Sequence, residues 1–138
     1  MKRKLNLWVT LGILQIIVAI GAIPFGIGFI RDPSGQSAGM NISMLDNSPF
    51  IDFYFPGLFL LIFLGLGNLL SGAVSFLKIE VSGFLGLALG TILMCWLFLQ
   101  VWWIGFTSFL QPLLFIFGFF EALTGFILLR RVIRLVEP

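Results

Sequence analysis

The sequence predicts an all-α integral membrane protein: one four-helix transmembrane bundle occupying residues 1–138, with both termini cytoplasmic. Three observations predict it. First, 59% of the 138 residues are hydrophobic and only 10% are charged, where an ordinary soluble domain is about 45–50% apolar and about 25% charged. With a mean hydropathy of +1.13, a soluble globule is excluded. Second, four apolar stretches are each long enough to cross a hydrocarbon layer of about 30 Å, which takes roughly 20 residues at about 1.5 Å rise each. None has the period-two alternation of a barrel strand, so helices are the spanning form that satisfies the backbone in lipid. Third, if the four helices alternate in direction, seven of the eight Lys and Arg residues fall on one side, and the side rich in Lys and Arg is the cytoplasmic one.

The first span is Leu5–Ile30, preceded by Lys2-Arg3-Lys4 and carrying Trp8 near the inner interface. This N-terminus also resembles a cleavable signal peptide, with a basic start, an apolar run and the small residues Ala19, Gly21 and Ala22. Its apolar run continues to Ile30, longer than a typical signal core, so we read a retained helix; cleavage would leave three helices and an outside N-terminus. The loop Arg31–Phe53 follows. It opens on an Asp-Pro-Ser-Gly turn and closes just before Pro56-Gly57, and its Met40, Ile42, Met44, Leu45, Phe50, Ile51 and Phe53 suit it to lie on the membrane or to cap the bundle. The second span is Tyr54–Leu77, the third Val81–Ile104 and the fourth Leu110–Leu129, joined by short links around Lys78–Glu80 and Gly105–Phe109. Ser108 is placed to cap the fourth helix, and Pro112 fits its first turn. The spans take up about two thirds of the chain, which leaves no separate soluble domain.

One short pattern recurs at helical spacing. The first helix has Gly12-x-x-Gln15-x-x-x-Ala19, the second Gly65-x-x-Asn68-x-x-x-Gly72 and the fourth Gly118-x-x-Glu121-x-x-x-Gly125; Ala22 and Ser75 extend the first two. The third helix has small residues alone, at Gly83, Gly86 and Gly90. Residues three, four and seven apart share a helix face, so each pattern is a narrow stripe of small residues holding one polar group. In lipid such faces pack closely and their polar groups bond across helices. The stripes therefore predict the inside of the bundle.

Depth adds to this. Gln15, Asn68 and Glu121 lie roughly 16, 15 and 14 Å from the nearest inner charges, close to half of a roughly 30 Å core. If the stripes face one another, the three form a hydrogen-bonded cluster at the midplane. Packing across helices accounts for Gln15 and Asn68, at about 0.6–2 kcal/mol per bond. Glu121 is different, because acidic residues at a helix centre cost about 2.5–3.5 kcal/mol or more on insertion scales. No Lys, Arg or His lies at its depth. That leaves a protonated Glu121 donating to Gln15 or Asn68, a Glu121 reached by water or a cation, or one paired with a partner protein.

Gln100, inside the outer end of the third helix, is placed to extend such a polar path outward. The neighbouring Trp102, Trp103, Thr107, Ser108 and Gln111 read as interfacial anchors, and Cys95 as a small packing residue. With no His and one Cys, the chain holds no disulfide, no His- or Cys-ligated metal site and no Ser-His-Asp triad. We expect no cofactor and no enzymatic activity. The basic run Arg130-Arg131-x-x-Arg134 suits the anionic inner leaflet, not nucleic acid.

At Ser48-Pro-Phe-Ile-Asp-Phe-Tyr-Phe-Pro-Gly57, at Gln100-Val-Trp-Trp-Ile-Gly-Phe-Thr-Ser-Phe-Leu-Gln-Pro112 and at Gly118-x-x-Glu121, the chain resembles a family of small, uncharacterised bacterial four-helix integral membrane proteins. That resemblance implies the topology and a bacterial plasma membrane, and no site. Small multidrug transporters are similar in length and in having one membrane glutamate, but theirs lies in the first helix, where this chain has Gln15. Two functions follow as expectations. One is a non-enzymatic accessory or oligomerising module whose partners are the bilayer and another membrane protein or a second copy. The other is a small proton- or cation-linked transporter or channel built on Glu121, Gln15, Asn68 and Gln100.

Overall fold

The computed structural model describes residues 6–136. The basic residues Lys2, Arg3 and Lys4, counted among the inner charges, and Leu5, the expected start of the first span, lie outside the described residues. Among the described residues, four helices are long and apolar enough to cross a membrane: α1 (Leu7–Arg31), α2 (Tyr54–Phe76), α3 (Ser82–Ile104) and α4 (Leu110–Val136). Asn6 starts α1 because its side chain accepts from the backbone N–H of Trp8 at 3.1 Å and of Val9 at 3.3 Å, satisfying donors that a helix start leaves free. α4 runs seven residues beyond the expected Leu129. The apolar span ends there, but Arg130, Arg131 and Arg134 are good helix formers, and the backbone keeps its own hydrogen bonds as it leaves the span. The Arg130 guanidinium lies back over the Phe126 ring, 5.8 Å from its centre.

α2 is not a uniform α-helix. Its middle, Leu60–Gly67, is a π-helix, wider than the α-helical turns on either side. Nothing in the apolar pattern distinguishes i→i+5 from i→i+4 winding, so this departure was not predicted.

The helices run antiparallel to their chain neighbours. α1 packs along α2 and α3 along α4; the two hairpins join through α1 on α4 and α2 on α3, which leaves α2 and α4 as a diagonal pair that do not pack together. All members of the four small-residue stripes are buried. The two hairpins nevertheless close differently. Along α3 and α4 the backbones touch: a Cβ on Gly90 would stand 2.5 Å from the Ala122 amide nitrogen and 2.6 Å from the Gly118 carbonyl, and one on Gly83 2.5 Å from the Leu129 nitrogen. Between α1 and α2 the glycines nearer the α2–α3 link instead receive side chains, Phe76 over Gly12 and Ile16 over Gly72, and close backbone contact is confined to the other end, where a Cβ on Gly26 would stand 2.8 Å from the Leu61 amide nitrogen.

The loop between α1 and α2 caps one end of the bundle. Leu45 and Phe53 bury against Phe29, with the Phe29 and Phe53 rings stacked 4.9 Å apart, and Phe50 meets the Trp103 ring edge-on. The opposite end, the termini end, carries the start of α1, the end of α4 and the α2–α3 link, where Lys78 takes a positive φ of 58° and the Ser82 hydroxyl donates to the Ile79 carbonyl at 2.6 Å. These are called the loop end and the termini end below.

Candidate functional site

Two features stand one above the other inside the bundle. On the termini side is a buried polar layer. Gln15, Asn68, Ser75 and Glu121 are each 0% exposed, and Ser71 is 3%. Gln15 clamps α1 to α2: its amide nitrogen donates to the Ser71 hydroxyl at 2.7 Å, and its carbonyl accepts from the Ser75 hydroxyl at 2.7 Å. Both serines share the face of Asn68, three and seven residues on, and their short side chains let α1 come close. Asn68 does not join them. Its amide nitrogen donates at 2.9 Å to the Leu64 carbonyl on its own helix, within the π-helical segment, and its carbonyl oxygen has no partner.

Glu121 is enclosed with both carboxyl oxygens unpartnered. Gln15 is the polar side chain beside it, within electrostatic reach but outside hydrogen-bond geometry. All three residues expected to cluster are thus buried, with Glu121 beside Gln15, but no hydrogen bond joins them. The reason lies in the packing. Asn68 and Glu121 come from helices that do not pack together, and the two hydrogen bonds that Gln15 makes go to the serines of α2. Ser71 is the participant the sequence reading missed. Its signal was its position on the Asn68 stripe.

On the loop side is a cavity of about 400 Å³. Its floor includes Val18, Leu64 and Leu93, each at most 2% exposed, about one helical turn from Gln15 and Asn68. Gln15, Asn68 and Glu121 do not line it. Gln100 does, half-buried in the wall contributed by α3, so it belongs to the cavity and not to the polar layer. Met40, Met44 and Phe50 of the capping loop form part of the roof.

Two residues read as interfacial have other positions. Trp103 lines the cavity, whereas Trp102 faces outward at 75% exposure. Gln111 is buried and staples the α3–α4 turn, accepting from the Thr107 amide at 3.0 Å and donating to the Gly105 carbonyl at 3.3 Å. Gly105, at φ +84°, supplies the left-handed conformation that this turn needs. Ser108 caps α4 as expected, accepting from the Leu110 amide at 3.2 Å. Cys95 is not a packing residue; it is exposed on the outside of α3.

The class this fold defines is a multi-pass helical membrane protein, with four spanning helices, an enclosed polar layer and a cavity under a capping loop. Compared with protein-family models, curated proteins and solved structures, the chain matches none.

Proposed function

We propose that this chain is a non-enzymatic membrane module: a small bundle, multi-pass in a bacterial plasma membrane with both termini cytoplasmic, that acts by associating with another membrane protein or with further copies of itself. The observation that carries the reading is the closure of the polar layer. Glu121 is 0% exposed, and the apolar floor of Val18, Leu64 and Leu93 separates it from the cavity on the loop side. A transport route must open its ion-binding group to each side in turn, whereas a packing group is served by enclosure. Backbone contact along α3 and α4 favours a stiff scaffold, and no serine in the polar layer stands next to a general base that would make it a nucleophile.

A second reading, a proton- or cation-linked transporter or channel, draws support from one observation. Both Glu121 oxygens and the Asn68 carbonyl oxygen are buried without partners, and such groups are exceptions in proteins that call for an explanation. Reconstitution separates the two. In proteoliposomes holding a pH-sensitive dye, the module reading expects the same proton, sodium and potassium permeability for the wild type and for Glu121→Gln. An ion flux present in the wild type and lost in Glu121→Gln sinks the module reading and establishes the transporter.

A further inference from the structure

We propose that the cavity beneath the capping loop is a binding site for an uncharged amphiphile, with one apolar chain and a head that accepts hydrogen bonds, entering sideways from the membrane between α1 and α4. Four observations carry this. The volume, about 400 Å³, falls in the range of small-molecule sites, about 300–1,000 Å³. No Asp, Glu, Lys or Arg lines the cavity, and a charged ligand placed there would lose its hydration without an opposite charge to replace it.

The third observation is a row of donors. Trp96, Gln100 and Trp103 all line the cavity and, spaced four and three residues apart, share one face of α3. Their indole and amide N–H groups have no hydrogen-bond partner among the described residues, whereas the neighbouring Gln111 is bonded within its own turn. An apolar chamber whose free donors lie along this face of α3 and at the α3–α4 turn, where Thr107 and Ser108 also line it, matches a chain carrying ester, ether or hydroxyl oxygens at one end. The fourth is the position of the mouth. The lining residues that are also exposed include Gly21 and Phe25 on α1, Ala38 on the loop, and Thr107 and Leu110 at the start of α4. Gly21 and Phe25 lie within the α1 span, so the opening is at membrane level, where amphiphiles partition. On the termini side of this gap α1 and α4 close together, with the Leu11 side chain seated at Gly86, opposite Gly125.

The test uses the full chain in lipid nanodiscs and three photoactivatable probes with the same diazirine-bearing acyl chain: a monoacylglycerol, a fatty acid ionised at pH 8, and phosphatidylcholine. Labelled residues are read by mass spectrometry. The proposal expects saturable monoacylglycerol labelling at the lining residues Trp96, Gln100, Trp103, Phe50 and Phe53, displaced by unlabelled monoacylglycerol, and at least five-fold weaker labelling there by the ionised probe. Gln100→Leu should weaken half-saturation about ten-fold. Ala22→Phe, which fills the chamber, should remove cavity labelling while the outward residues Phe98 and Trp102 are labelled as before; those outward labels report that the bundle has folded. Linear, non-displaceable labelling, labelling confined to outward residues, or equal cavity labelling by the ionised probe would each overturn the proposal. Stronger cavity labelling by phosphatidylcholine than by monoacylglycerol would overturn it too, assigning the chamber to an ordinary bilayer lipid.

Discussion

Gln15 shows what a single side chain contributes. Its amide bridges two serines on the neighbouring helix at 2.7 Å each, so Gln15→Leu removes both bonds and leaves Ser71 and Ser75 facing an apolar group. At about 0.6–2 kcal/mol for each of the two interhelical bonds, the variant should lose roughly 1–4 kcal/mol, measured as a lower unfolding midpoint in a denaturing-detergent titration. The glycines make a sharper prediction. At Gly90 a methyl group meets backbone atoms at 2.5 and 2.6 Å, and backbone cannot rotate away. Gly90→Ala should therefore force α3 and α4 apart and cost about 1–3 kcal/mol, the usual cost of overpacking. Gly28→Ala is the control, since a Cβ there meets nothing within 4 Å, and it should be neutral or slightly stabilising. These residues were legible in the sequence as faces: small residues at helical spacing marked the interior on all four helices. Which polar group bonds to which was not legible. That choice depends on which helices are neighbours and which are diagonal, and a one-helix pattern is silent about both.

Among the elements, the spans themselves follow from apolar length, and α3 and α4 begin within one residue of expectation. Two features escape that reasoning because hydropathy does not encode them: the π-helical winding of Leu60–Gly67, and the continuation of α4 through its arginines to Val136. The capping loop has a local logic of its own. Asp32, at the end of α1, accepts from the Ser34 hydroxyl at 2.5 Å and from the Ser37 amide at 3.0 Å, and these bonds, the Ser34 hydroxyl foremost, hold its carboxyl below the ordinary value of 3.8. A carboxyl whose pKa is lowered by folding stabilises the turn at pH values above its unfolded pKa, and that contribution is lost as the pH falls through the lower folded value. The Ser37 amide resonance should therefore titrate with a midpoint below 3.8 and stop titrating in Asp32→Asn; a midpoint at or above the ordinary value contradicts this account of the turn.

The whole molecule is divided between a cavity at the loop end and an enclosed polar layer on its termini side. Composition could say that Glu121 was the one charge without water, and depth could place it near the middle of the span. Only the packing reveals that the floor of Val18, Leu64 and Leu93 lies between it and the cavity, because that floor is assembled from three helices. The proposed topology and the proposed closure meet in one measurement. With Cys95 replaced by Ala, single cysteines are introduced at Ser37, Glu80 and Glu121, and oriented proteoliposomes are exposed to a membrane-impermeant cationic thiol reagent on one face at a time. The account predicts that Ser37→Cys reacts from one face, Glu80→Cys from the other, and Glu121→Cys from neither until the protein is denatured. Reaction of Glu121→Cys from either face of the folded protein would contradict the enclosed polar layer on which the proposed function stands.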